Sequence, residues 1–120
     1  MRNTIFVVDD GVTNLYIAKD ALKEHYKVLT MASACKMFDM LPKIRPSLIL
    51  LDIEMPEMDG FEAFSKLKTE AGFSDIPVIF LTSMTDDKTE ARGLDMGAVG
   101  FVKKPFDAPD LLRKIEYNLK

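Results

Sequence analysis

The sequence has a single cysteine, Cys35, among its 120 residues. One cysteine excludes an internal disulfide and a zinc site built on several thiolates, and it suits a reducing compartment. No apolar run approaches the length of a membrane span, and the polar opening MRNT lacks the basic and apolar regions of a signal peptide. We therefore expect a cytoplasmic protein that does not insert into a membrane.

An excess of basic charge is also absent. The formal net charge is -3 and the pI is near 5.1, which argues against binding nucleic acid or anionic lipid through bulk electrostatics. The content of 48% hydrophobic and 29% charged residues is typical of a globular protein. With no internal repeat and no linker-like shift in composition, residues 1–120 are expected to form one domain.

Short apolar runs alternate along the chain with longer segments of helical period. The runs cover residues 5–8, 26–31, 48–51, 78–81 and 99–102. Helical faces are indicated by Leu15, Ala18 and Leu22, by Phe61, Phe64 and Leu67, and by Leu111, Leu112, Ile115 and Leu119, with two further helices near 33–41 and 86–96. This alternation predicts an α/β fold, a doubly wound sheet of five parallel strands with five helices on its two faces.

Sequence patterns predict where two of the helices begin. Asp59 followed by Glu62 fits a capping box, in which each side chain accepts from the other residue's backbone N–H. Asp107 and Asp110 frame Pro109, a residue favoured in the first turn of a helix. Both helices should therefore begin near these positions.

Polar residues end four of the apolar runs. They are Asp9 and Asp10 after TIFVV, Asp52 after LILL, Thr82 after VIFL and Lys104 after FVK. In an open parallel sheet these ends meet at one edge, where the three carboxylates and one ammonium carry a formal charge of -2. Carboxylates crowded in this way need a cation or must shift their pKa values, and a set of oxygen ligands without histidine or cysteine favours Mg²⁺.

Such a cluster can carry phosphoryl chemistry. A carboxylate can attack phosphorus to form an aspartyl phosphate, while a metal ion and a lysine offset the charge on the phosphoryl oxygens. A hydroxyl can donate a hydrogen bond to one of those oxygens. The residues at the strand ends include carboxylates, a lysine and a hydroxyl group.

The motifs VVDD, ILLDIEMPEMDG, FLTS and GAVGFVKKPF, in this order and at these separations, resemble the receiver domain of two-component response regulators. The resemblance covers residues 5–119 and implies a flavodoxin-like strand order of 2-1-3-4-5. It also implies that Asp52 is the phosphoacceptor. Asp9 and Asp10 would hold Mg²⁺, helped by the Asp52 carboxylate and the backbone carbonyl of Glu54.

The resemblance implies roles for residues near the other strand ends as well. Thr82 would donate to a phosphoryl oxygen, Lys104 would pair with the same group, and Phe101 would be the aromatic switch residue that responds to Thr82. The peptide bond between Lys104 and Pro105 would be cis. Adjacent residues of a strand point to opposite faces, so only one of Lys103 and Lys104 can enter the site. The resemblance favours Lys104, because it immediately precedes Pro105 as in the family.

Glu54 and Met84 are expected to flank the route to Asp52, at positions that tune phosphoryl loss in the family. The implied function is a signalling switch that accepts a phosphoryl group from a histidine kinase or histidine phosphotransferase. The fourth helix, fifth strand and fifth helix would then bind a downstream protein. Such a domain catalyses only its own phosphorylation and dephosphorylation, and is not an enzyme acting on external substrates.

Three other readings remain open from the sequence. The fold could serve as an interaction module that works without phosphorylation. The stretch FVVDDGVTNL is also similar to the opening motif of haloacid-dehalogenase-type phosphatases, although no residue separates its two carboxylates. A flavin-binding protein of similar topology is disfavoured, because the loop after Val8 offers carboxylates where a phosphate needs donors. A stand-alone receiver and a segment of a longer regulator are both compatible with these residues.

Overall fold

The computed structural model describes residues 2–70, 72–83 and 87–119. The strands are Thr4–Val8 (β1), Lys27–Met31 (β2), Leu48–Asp52 (β3), Val78–Thr82 (β4) and Gly100–Lys103 (β5). The helices are Val12–Leu22 (α1), Ala34–Met40 (α2), Gly60–Thr69 (α3), Asp87–Met96 (α4) and Ala108–Leu119 (α5). All strand pairs are parallel, in the order β2-β1-β3-β4-β5. The predicted α/β fold and strand order are confirmed.

The sheet is covered on both faces, which explains its continuous apolar strands. Alternate residues of β1 enter different cores: Ile5 and Val7 pack with α1 and α5, whereas Phe6 and Val8 pack with α2 and α3. Every residue of β3 and β4 is buried, including Asp52 at the end of β3. The apolar strands therefore hold their polar terminal residues in fixed positions at one edge of the sheet.

The predicted boundaries are correct to within one or two residues. The second strand begins at Lys27 rather than at Tyr26, and the fifth begins at Gly100 rather than at Val99. The second helix begins at Ala34 because Ser33 is its extended N-cap, whose side chain accepts a hydrogen bond from the Lys36 backbone N–H at 3.2 Å. None of the helices within the described ranges is long and apolar enough to cross a membrane.

The predicted capping box at the start of α3 is confirmed. The Asp59 carboxylate accepts from the Glu62 backbone N–H at 2.9 Å, and the Glu62 carboxylate accepts from the Asp59 N–H at 3.3 Å. Directly after the cap, Gly60 packs against the backbone that follows β3, and its N–H donates to the carbonyl oxygen of Ile53 at 2.8 Å. A Cβ on Gly60 would lie 2.4 Å from the carbonyl oxygen of Asp52. The start of α3 therefore packs tightly against the backbone of Asp52.

Gly60→Ala is expected to lower the free energy of unfolding by about 2 kcal/mol or more, because the added methyl group meets backbone that must shift. The matched control is Gly100→Ala, whose added Cβ would have Ile79 Cγ1 as its nearest neighbour at 3.8 Å, an ordinary contact. Urea denaturation of both variants measures the difference. Equal stability of the two variants would show that α3 is not held this closely against β3.

Candidate functional site

Four charged side chains meet at the carboxyl edge of the sheet. Asp9 and Asp10 follow β1, Asp52 ends β3 and Lys104 follows β5. The Nζ atom of Lys104 donates a hydrogen bond to Asp52 Oδ1 at 2.8 Å and lies 2.8 Å from Asp9 Oδ2. The exposed fraction of the side chain is 16% for Lys104 and 1% for each of these two aspartates, so the three charges interact largely away from water.

The oxygens of the two buried carboxylates are unequally satisfied. Asp9 Oδ1 accepts from the Gly11 backbone N–H at 2.8 Å and from the Asn14 side-chain amide at 3.4 Å. Asp52 Oδ1 accepts from the Glu54 backbone N–H at 3.3 Å as well as from Lys104. Asp9 Oδ2 has the ion-pair contact with Lys104 but lacks hydrogen-bond geometry, and Asp52 Oδ2 has no hydrogen-bond partner among the described residues. Two buried carboxylate oxygens therefore remain available to a ligand.

This arrangement fits a divalent cation. One carboxylate oxygen from each of Asp9, Asp10 and Asp52 lies within 4.8 Å of the others. Asp10 is exposed, which gives the cluster one side open to water. Three carboxylates against one ammonium leave a formal charge of -2, and oxygen ligands of this kind suit a hard ion such as Mg²⁺.

The electrostatics of the site are set by burial and by the ion pairs. Burial raises the pKa of Asp52 to about 6, and the nearby Asp9 charge acts in the same direction against the opposing effect of Lys104. For Lys104, burial acts to lower the pKa, but the close contacts with the Asp52 and Asp9 carboxylates and their negative charges outweigh it, and the pKa is raised. Lys104 is thus held as a cation beside the two aspartates.

The remaining residues implied by the resemblance lie around this cluster. Thr82 ends β4 and is buried, and its carbonyl oxygen accepts from the Lys104 backbone N–H at 2.9 Å. Lys103 is exposed, so Lys104 rather than Lys103 reaches the carboxylates. The peptide bond from Lys104 to Pro105 is cis, the geometry that the resemblance implies. Phe101 is partly buried, with its ring centroid 5.6 Å from that of Phe80.

The structure adds one contact that the sequence did not reveal. The hydroxyl of Ser83 donates to the Glu54 carboxylate at 2.9 Å, which joins the loop after β4 to the loop after β3. Met84, the other residue expected to flank the route to Asp52, lies outside the described residues. Ser83 and Glu54 are 29 positions apart, and no local pattern marks them as partners.

In metal-free protein at pH 8, Asp52→Asn is expected to raise the free energy of unfolding by about 1 to 2 kcal/mol. The raised pKa of about 6 means that the folded state disfavours the Asp52 charge, and this cost is present in full only well above pH 6. Below that pH the folded protein binds the proton before the unfolded chain does, so the difference shrinks to zero near pH 4.

Urea denaturation in EDTA across this pH range measures the effect. Asp59→Asn is the matched control, because asparagine also serves as an N-cap. A stabilisation by Asp52→Asn that is independent of pH would contradict the electrostatic explanation.

Comparisons with known proteins place this geometry in a family. Residues 5–116 match the family model of the response regulator receiver domain. Over 96 residues the chain is 41% identical to the response regulator Rre1 of Synechocystis sp., covering 78% of this chain and 40% of that protein. Over 117 residues it is 34% identical to a probable cyclic di-GMP phosphodiesterase of Vibrio cholerae, covering 98% of this chain and 26% of that protein.

The structure agrees with that match. It superposes on the chemotaxis protein CheY4 of Vibrio cholerae with a TM-score of 0.93 at 27% identity, covering 99% of this chain and 100% of the other. The chain therefore belongs to the response regulator receiver domain family and has the CheY-like fold. It spans 40% and 26% of the lengths of the two curated relatives named above.

Proposed function

We propose that residues 1–120 form one receiver domain that acts as a phosphorylation-dependent signalling switch. The donor is a histidine kinase or a histidine phosphotransferase, and the acceptor is Asp52. The observation that carries this function is the buried Oδ2 of Asp52, which has no hydrogen-bond partner among the described residues, at a sheet edge shared with Asp9 and Lys104. A free carboxylate oxygen beside a fixed ammonium is what acceptance of a phosphoryl group requires.

In the proposed step, a carboxylate oxygen of Asp52 forms the new bond to phosphorus. The bond between phosphorus and the imidazole nitrogen of the donor histidine breaks, and the imidazole leaves with the electron pair and takes up a proton. The ammonium of Lys104 offsets the negative charge on the phosphoryl oxygens, and the Thr82 hydroxyl donates a hydrogen bond to one of them. The domain catalyses only the formation and hydrolysis of its own aspartyl phosphate.

Mg²⁺ would be held by the carboxylates of Asp9, Asp10 and Asp52 and by the backbone carbonyl of Glu54. When bound, it supplies positive charge that neutralises the site and orients the phosphoryl oxygens. Asp9 is held in place by Gly11 and Asn14, so its carboxylate is already oriented. Exposed Asp10 can adjust to the ion at little cost.

The phosphoryl group brings charge and acceptor oxygens to a site that previously held an ion pair. Thr82 turning toward those oxygens would vacate space for the Phe101 ring. That movement would repack the surface formed by α4, β5 and α5, where a downstream protein partner would bind. Because Phe101 has no hydroxyl group, the phosphorylation state must reach the surface through the packing of its ring. We place this switch in the cytoplasm, which the free thiol of Cys35 suits.

The test is uptake of labelled phosphoryl groups from acetyl phosphate with Mg²⁺. We expect incorporation limited to one phosphoryl group per chain, lost when EDTA removes the metal. No incorporation would favour the interaction module that works without phosphorylation. Repeated turnover on phosphate monoesters would instead favour the phosphatase of the haloacid dehalogenase type.

A further inference from the structure

Helix α4 meets the rest of the fold through a glycine. Within α4, whose ten residues are all described, Gly93 is the one buried residue. A glycine in a helix interior is less favourable than alanine, because its backbone loses more conformational freedom on folding. A glycine at the single buried position of a helix therefore indicates a packing requirement.

The ring of Phe101 accounts for this requirement. A Cβ on Gly93 would lie 2.3 Å from Cζ and 3.0 Å from Cε1 of Phe101, and 3.1 Å from Cδ2 of Phe80. The Phe101 ring thus occupies the volume that any side chain at position 93 would need. The bare backbone of Gly93, together with Phe80, forms a notch that fits this ring.

A second contact joins α4 to the same aromatic residues. The guanidinium of Arg92 lies over the Phe61 ring, 4.2 Å from its centroid, and Phe61 packs edge-on against Phe80 at 5.2 Å. Consecutive residues of α4 therefore rest on one continuous cluster of rings, Phe61, Phe80 and Phe101. Displacement of one ring in this cluster changes the surface on which the helix sits.

The main chain of Phe101 is held separately from its ring. The ammonium of Lys114 donates to the Phe101 carbonyl oxygen at 2.8 Å and pairs with Asp110 on its own helix at 3.3 Å. These contacts tie β5 to α5. The hydrogen bond from Lys114 can therefore hold the strand in place when the ring changes its position.

We propose that Gly93 is the notch that receives the Phe101 ring and so sets the position of α4. When the ring leaves the notch, α4 loses its buried support and can shift. The coupling of this movement to Asp52 rests on the proposed function, in which phosphorylation turns Phe101. Because Phe101 lacks a hydroxyl group, its steric contact with Gly93 carries the signal to the surface.

A double-mutant cycle tests the notch without any phosphorylation. We expect Gly93→Ala to lower the Tm by about 3 °C or more, because the methyl group displaces the ring. In a Phe101→Leu background the same change should lower the Tm by less than half as much, since leucine lacks Cζ and Cε1 and only the 3.1 Å approach to Phe80 Cδ2 remains. Gly100→Ala, whose added Cβ would be 3.8 Å from its nearest neighbour, is the matched control. An equal loss of Tm in both backgrounds would show that the Phe101 ring does not fill the space beside Gly93, and would overturn the proposal.

Beryllofluoride binding with Mg²⁺ tests the coupling to Asp52. Excluding the ring from the notch should favour the switched state, so Gly93→Ala should bind beryllofluoride about fivefold more tightly than the wild type. Gly100→Ala should bind like the wild type. Equal or weaker binding by Gly93→Ala would overturn the coupling. Failure of the wild type to bind would instead overturn the proposed function, and the stability cycle would still decide on the notch.

Discussion

Replacing Asp52 by asparagine is expected to lower phosphoryl uptake from acetyl phosphate by about 100-fold or more, because the amide lacks the nucleophilic carboxylate oxygen. The substitution keeps the shape of the side chain and an oxygen that can accept from Lys104. The fold should therefore persist, and in metal-free protein at pH 8 it should be more stable than the wild type. A stable variant without uptake would separate chemistry from folding.

Asp59→Asn is the matched control for this prediction. It makes the same chemical change seven positions along the chain, at an N-cap that asparagine also satisfies. Its uptake of label should equal that of the wild type. Label uptake is measured by filter binding. If Asp52→Asn took up as much label as the wild type, another residue would be the phosphoryl acceptor.

The second large effect is expected at Asp10. Asp10→Asn should weaken Mg²⁺ binding about tenfold or more, because it removes one of three clustered carboxylates and reduces the formal charge of the site from -2 to -1. Asp10 is exposed, so the substitution leaves no buried group unsatisfied. Affinity should fall with little change in stability.

Isothermal titration with MgCl₂ measures this effect. Asp20→Asn is the control, since it removes an exposed carboxylate on α1 that pairs with Lys23, the residue directly after the helix. We expect it to bind Mg²⁺ like the wild type. Equal loss of affinity in both variants would mean that net charge rather than ligation governs binding, and would contradict the assigned metal site.

The sequence alone predicted the parts of the fold that follow from local pattern. The fully apolar runs at Leu48 and Val78 marked buried parallel strands, and the alternation of strands with helices led to the α/β fold. The polar residues that end these strands were predictable as neighbours because parallel strands bring the same ends together. The capping box of Asp59 and Glu62 was likewise legible, because its two residues are only three positions apart.

Contacts between distant segments were not predictable in this way. The partnership of Ser83 with Glu54 depends on how two loops approach each other, and no periodicity records that approach. Gly93 carried no signal either, since its meaning lies in the Phe101 ring packed against it. Nor did the sequence show that Lys104 bonds to Asp52 while Asp52 Oδ2 stays without a hydrogen bond among the described residues. Side-chain geometry decided each of these points.

The central claim, that Asp52 becomes an aspartyl phosphate, is tested most directly by locating the modification. Borohydride reduces an acyl phosphate on aspartate to the alcohol of homoserine, which survives digestion and is identified by mass spectrometry. After treatment with acetyl phosphate and Mg²⁺, we predict homoserine at position 52 and at no other aspartate. Homoserine elsewhere, or phosphorylated protein with unmodified Asp52, would contradict the account.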